Sequence, residues 1–112
     1  MSKKKSKSGK KTYEIIAKQY PKVIKAAEAL GTTVRTAGPL DEKTGQLIQL
    51  AAAAATGSEG AVHSHTRREK KAGATPEEIY HALLMLISTI GFPQAMAALS
   101  WSRDILEEED KK

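Results

Sequence analysis

Three polar side chains stand out by type and spacing: Gln46, His63 and His65. All lie between Leu40 and Glu69, a stretch that reads as two helices joined at Gly57. On the second of these helices, Ser58, Ala61, Val62 and His65 follow i, i+3, i+4, i+7 spacing and share a face. On the first, Gln46 and Leu50 share a face with Ala53 and Gly57, so Gln46 is a polar group on an otherwise apolar stripe. If the two helices pack as an antiparallel hairpin, Gln46 and His65 can meet across a small pocket. His65 then has two readings: a core histidine bonded to a carbonyl, or a group that moves protons.

His63 is set apart from His65 by about 200° around a helix. The pair therefore does not suit one shared metal ion, and no metal is expected from it. His63 lies four residues from both Glu59 and Arg67, which reads as a charged face turned to solvent. His81 stands beside an apolar run, where packing or an interface is its expected role. Arg67, Arg68, Lys70 and Lys71 end the helix with positive charge, as its dipole favours. The chain has no glycine-rich phosphate loop, no nucleophile elbow and no His-Glu-x-x-His. It has no cysteine, which removes disulfides, cysteine zinc sites and thiol nucleophiles from consideration.

The elements that must position these residues are all helical by pattern, about six in number with short connections, giving an all-α fold. A helix starting at Thr12 ends before Tyr20-Pro21. Pro21 suits the first turn of the next, which runs to Leu30 or slightly beyond, with Gly31 either capping it or lying within it. Asp41 caps a third helix, Glu42 to about Thr56, whose run Ala51–Ala55 favours helix and keeps it thin. Ser58 caps the fourth, which ends near Lys71. Thr75-Pro76-Glu77-Glu78 is a capping box with proline in the first helical position, and this fifth helix is expected to reach Gly91. Pro93 starts the sixth. The six-residue run Ala82–Ile87 is apolar on every face and asks for cover from another subunit.

Of 112 residues, 18 are basic and 13 acidic. Six of the lysines fall between Lys3 and Lys11, and without them the chain holds 12 basic against 13 acidic groups. The basicity thus belongs to residues 1–11, a Lys-rich tail expected to be disordered and solubilising, with no specific nucleic-acid partner. Residues 12–112 make one domain. The tail has no apolar segment of a secretory signal, and no run approaches the ~20 residues needed to span a bilayer. A cytoplasmic protein without a membrane partner is expected.

Leu40-Asp41-Glu42-Lys43-Thr44, the apolar helix to Thr56-Gly57, His65-Thr66-Arg67, Lys71-Ala-Gly-Ala-Thr-Pro-Glu-Glu-Ile79 and Gly91-Phe92-Pro93 together resemble the carboxymuconolactone decarboxylase and AhpD-like alkylhydroperoxidase family, over roughly Pro21 to Glu108. The resemblance implies an all-α trimer or hexamer. The redox branch carries Cys-x-x-Cys, a histidine four residues later and an upstream glutamate; these positions hold Ser58, Ala61, His65 and Gln46. A serine hydroxyl does not replace a thiolate that reduces peroxide, so peroxidase activity is disfavoured. The cysteine-free decarboxylase branch implies a lyase without cofactor, acting on a small carboxylated lactone or related acid. In that reading His65 is the proton donor and Gln46 a hydrogen-bond donor to the enolate. Ser58, Ala61 and Arg35 border the substrate, Arg35 pairing its carboxylate. The competing reading is a non-catalytic oligomeric scaffold with a decayed site. A deep pocket lined by Gln46 and His65 favours the lyase and a filled one the scaffold.

Overall fold

Three helix starts in the chain are set by side chains that supply a missing hydrogen bond. In the computed structural model, residues 3–110 are described, with side chains for 11–108. The helices run in the order α1 Lys3–Gln19, α2 Pro21–Arg35, α3 Glu42–Thr56, α4 Glu59–Lys71, α5 Pro76–Leu84, α6 Ile87–Ile90 and α7 Phe92–Asp110. Asp41 accepts a bond from the Thr44 N–H at 2.9 Å and starts α3. Ser58 accepts from the Ala61 N–H at 3.2 Å and starts α4. Thr75 and Glu78 form the reciprocal capping box at α5, with Pro76 in its first turn. Each such cap satisfies an N–H that the helix itself cannot.

At the far end of α3 the carbonyls of Ala54 and Ala55 accept from the Gln94 side chain at 2.9 and 3.1 Å. Gly57 turns the chain there with φ 72°. A Cβ at this position would sit 3.2 Å from the Gln94 nitrogen, so glycine serves both the left-handed turn and the close approach.

The core lies where α3, α4, α5 and α7 meet. Leu50, Ala54, Val62, Ile79, Leu83 and Ala98 are fully buried in it. The fold is all-α: the described residues form helices joined by turns, without strands. Among them, no helix is long and apolar enough to cross a membrane.

Two boundaries differ from the sequence pattern, and a third that it left open is decided. The backbone is helical from Lys3 rather than from Thr12. Lysine has good helix propensity, so a helix nucleated by the following residues can extend back through it. The tail reading of residues 1–11 falls largely on side chains outside the described set. The second helix runs through Gly31 to Arg35. The helix expected to reach Gly91 breaks after Leu84: Leu86 N–H bonds to Leu83 O at 3.1 Å, three residues back, and α6 restarts for one turn. No glycine or proline marks this break, because tightening to three-residue spacing leaves backbone groups paired.

The hairpin of α1 and α2 differs from the rest. It is joined by a hydrogen bond from the Tyr13 hydroxyl to Glu28. No residue of α2 is buried. Its apolar stripe remains open, with Val23, Leu30 and Val34 each more than half exposed. In the apolar run before α6, Leu83 is buried but Leu84 and Met85 are exposed.

Candidate functional site

Between this hairpin and the bundle lie two adjoining clefts. One, of about 470 Å³, is bordered by Ile24, Glu28, Arg35, Gln46, Arg68 and Lys71 among others. The second, of about 430 Å³, is bordered by Arg35, Gln49, Ala52, Ala61, His65 and Arg68 among others. Gln46 and His65 form the partition between them.

The partition is a chain of polar contacts. His65 Nδ1 lies 3.1 Å from Gln46 Oε1. Gln46 Nε2 donates to Glu42 Oε2 at 3.1 Å. The same Glu42 oxygen lies 3.6 Å from Arg35 Nε. The carboxylate accepts only, so it fixes the amide with nitrogen toward Glu42 and oxygen toward the imidazole. That carbonyl oxygen requires a proton on His65 Nδ1, which leaves Nε2 with its lone pair. Gln46 is buried, and helix spacing supplies the order: Glu42 and Gln46 stand one turn apart on α3.

His65 is half-buried. Desolvation, followed by the charges of Arg68 and Arg35, lowers its pKa from the usual imidazole value. The neutral ring is therefore the form present at pH 7. The Gln46 amide nitrogen is turned to Glu42 and its oxygen to His65 Nδ1, which leaves Nε2 as the ring nitrogen without a proton at rest.

Arg35 reaches the cleft from the last turn of α2. A Cβ at Gly31 would sit 3.2 Å from one of its guanidinium nitrogens, so the missing side chain leaves room for the arginine. Its Nε is buried without a hydrogen-bond partner, as is Gln49 Oε1 across the second cleft. Ala61 borders that cleft. Ser58 does not belong with these groups: its hydroxyl is taken up by the Ala61 N–H at the exposed start of α4.

His63 is the clearest correction. The sequence pattern turned it to solvent, yet it is 4% exposed, with Nε2 3.2 Å from Asp104 Oδ2. α7 packs against α4 on that side. The buried stripe of α4 is Val62, Thr66 and Glu69 together with His63. Ala61 and His65 flank this stripe at the cleft. The sequence pattern assumed one covered face, and α4 has two neighbours. Thr66 shares a buried 2.7 Å hydrogen bond with Ser102 of α7.

Arg68 was assigned only to the helix dipole, yet it borders both clefts. It stands three residues after His65 and seven after Ala61, so helical spacing was the available signal.

The model of the carboxymuconolactone decarboxylase family matches residues 21–104. The uncharacterized protein MJ1511 of Methanocaldococcus jannaschii is 33% identical over 88 residues, covering 79% of this chain and 82% of that one. An uncharacterized protein of Haemophilus influenzae is 41% identical over 56 residues, half of each chain. The crystal structure of apo-lpg0406, a carboxymuconolactone decarboxylase family protein from Legionella pneumophila, superposes with a TM-score of 0.77 at 27% identity, covering 91% of both chains. With three quarters of its length matched, from the start of α2 to the middle of α7, this chain belongs to the carboxymuconolactone decarboxylase family.

Proposed function

We propose that the chain is a cofactor-free lyase acting on a small carboxylated lactone or related acid. The observation that carries this reading is the His65–Gln46 contact at 3.1 Å, set at a cleft with Arg35 and Arg68. The clefts are open rather than filled, which favours a working site over a decayed one.

In such a reaction the bond from the ring to the carboxylate carbon breaks and carbon dioxide leaves. The bonding electrons move through the conjugated lactone onto its carbonyl oxygen, and one proton from solvent ends on carbon. The two guanidinium groups face this developing negative charge. His65 Nε2, neutral at rest, takes a proton from water and delivers it to carbon, while Gln46 Oε1 holds the Nδ1–H side of the ring in place. A peroxide-reducing reaction would need a thiolate, and the chain has no cysteine.

The same proposal includes a homotrimer or homohexamer. The exposed stripe of α2 together with Leu84 and Met85 supports cover by further subunits, which would also close the clefts from water.

The test is carbon dioxide release from a panel of carboxylated butenolides. His65→Asn should lower kcat by about a hundredfold or more, while Gln46→Ala should shift the pH profile by releasing the ring. Absence of turnover across the panel, or an unchanged rate in His65→Asn, would defeat the lyase reading.

A further inference from the structure

A second cluster lies on the α7 side of α4, away from the clefts. Glu59 stands in the first turn of α4 and His63 one turn later, both facing Asp104 of α7. Asp104 Oδ2 is 3.2 Å from His63 Nε2. Glu59 Oε2 is 3.9 Å from the same nitrogen. One ligand atom from each residue lies within 4.8 Å of the other two.

A buried imidazole nitrogen is satisfied by one hydrogen-bond partner, and Asp104 already fills that role. The second carboxylate is the feature left over. Glu59 Oε2 is buried and has no hydrogen-bond partner, although it points at an atom that already has one. Two carboxylate oxygens facing one imidazole nitrogen leave a charge unbalanced unless something cationic sits among them.

We propose that Glu59, His63 and Asp104 form a binding site for a divalent transition-metal cation of the zinc type. Ligand atoms bound tetrahedrally at about 2.0–2.1 Å stand about 3.3–3.4 Å apart. The separations of 3.2 and 3.9 Å reach that arrangement with small side-chain adjustments. Two carboxylates neutralise the charge of a divalent ion, and the imidazole nitrogen selects zinc-like ions over magnesium or calcium. Three protein ligands leave the fourth position to water. The i, i+4 pair on α4 and the single ligand on α7 would tie these helices together through the ion. The site uses none of the cleft residues and stands independently of the lyase reading.

Asp104 and the buried ring hold each other, so their substitution can disturb packing. Glu59 is partly exposed, which makes Glu59→Gln the variant least able to harm the fold. The full-length protein, stripped with a chelator, is titrated with zinc chloride by calorimetry, and its melting temperature is followed in parallel. One zinc per chain should bind with a dissociation constant in the micromolar range or tighter, and the melting temperature should rise. Glu59→Gln and His63→Asn should each weaken binding at least about tenfold, while His81→Asn, at an exposed position of α5, should not. The proposal is overturned if zinc shows no saturable binding. It is overturned equally if affinity survives in Glu59→Gln, or if His81→Asn is the variant that abolishes it.

Discussion

The α5 helix and the α2 helix are alike in sequence and opposite in surroundings. Each carries proline in its first turn and an apolar stripe at helical spacing. In α5 the stripe is fully buried at Ile79 and Leu83. In α2 no residue is buried. Local chemistry decides that a segment is helical, whereas what the helix packs on depends on the rest of the chain. The bundle of α3, α4, α5 and α7 holds the fold, and the hairpin supplies one wall of the clefts.

The comparison is tested most strongly at Leu83. Leu83→Ala should lower unfolding stability by about 3–4 kcal/mol, as for a fully buried leucine that leaves a cavity. Chemical denaturation measures this, and a loss under about 1 kcal/mol would mean that the bundle is not the stabilising region.

A slightly smaller effect is expected at Glu69, which is fully buried on α4 with both carboxylate oxygens unpartnered. Desolvation raises its pKa from 4.5 to about 7, with Lys43 opposing and Glu78, Asp41 and Glu42 adding to the shift. The folded state holds this proton more tightly than the unfolded chain. Its stabilising contribution is therefore full below pH 4.5 and is lost as pH rises through about 7. The loss is of order 3 kcal/mol at most. Glu69→Gln should flatten the stability profile between pH 5 and 8, at roughly these bounds. An equal pH dependence in the variant would assign the effect to another group.

Thr75→Ala removes one side of the α5 capping box and should cost about 1 kcal/mol. Thermal melts at one pH suffice, and an unchanged midpoint would mean that α5 is held by packing alone.

The smallest effect belongs to the hairpin. At protein concentrations low enough to separate subunits, Val23→Ala should change stability by less than about 0.5 kcal/mol. At high concentration the loss should grow if other subunits cover α2. Large and equal losses at both concentrations would place α2 in the same folding unit as the bundle.

What could be read from the sequence follows the same division. Asp41, Ser58 and the Thr75–Glu78 box act within one turn of themselves, so their side chains announce the helix starts. Gly57 likewise announces an end. The placement of His63 depends on α7 crossing α4, and α7 lies some forty residues further along, so spacing on α4 alone turned it the wrong way. Arg68 is a neighbour of His65 by spacing, but a basic residue near a helix C-terminus also satisfies the dipole, so its type alone does not single it out. The break after Leu84 leaves no residue signature at all, since its backbone bonding tightens to three-residue spacing rather than disappearing.

Arg35 gives α2 a reach beyond its own packing. The arginine is one of two positive charges that depress the basicity of His65, and it is carried by the helix with the loosest hold on the molecule. Moving α2 outward would let the imidazole regain its appetite for protons, and pressing α2 inward would suppress it further. Any subunit seated on Val23, Leu30 and Val34 would thereby act as a setting on the histidine without touching it. Titrating the His65 ring by NMR at low and high protein concentration would register this as a shift in its midpoint.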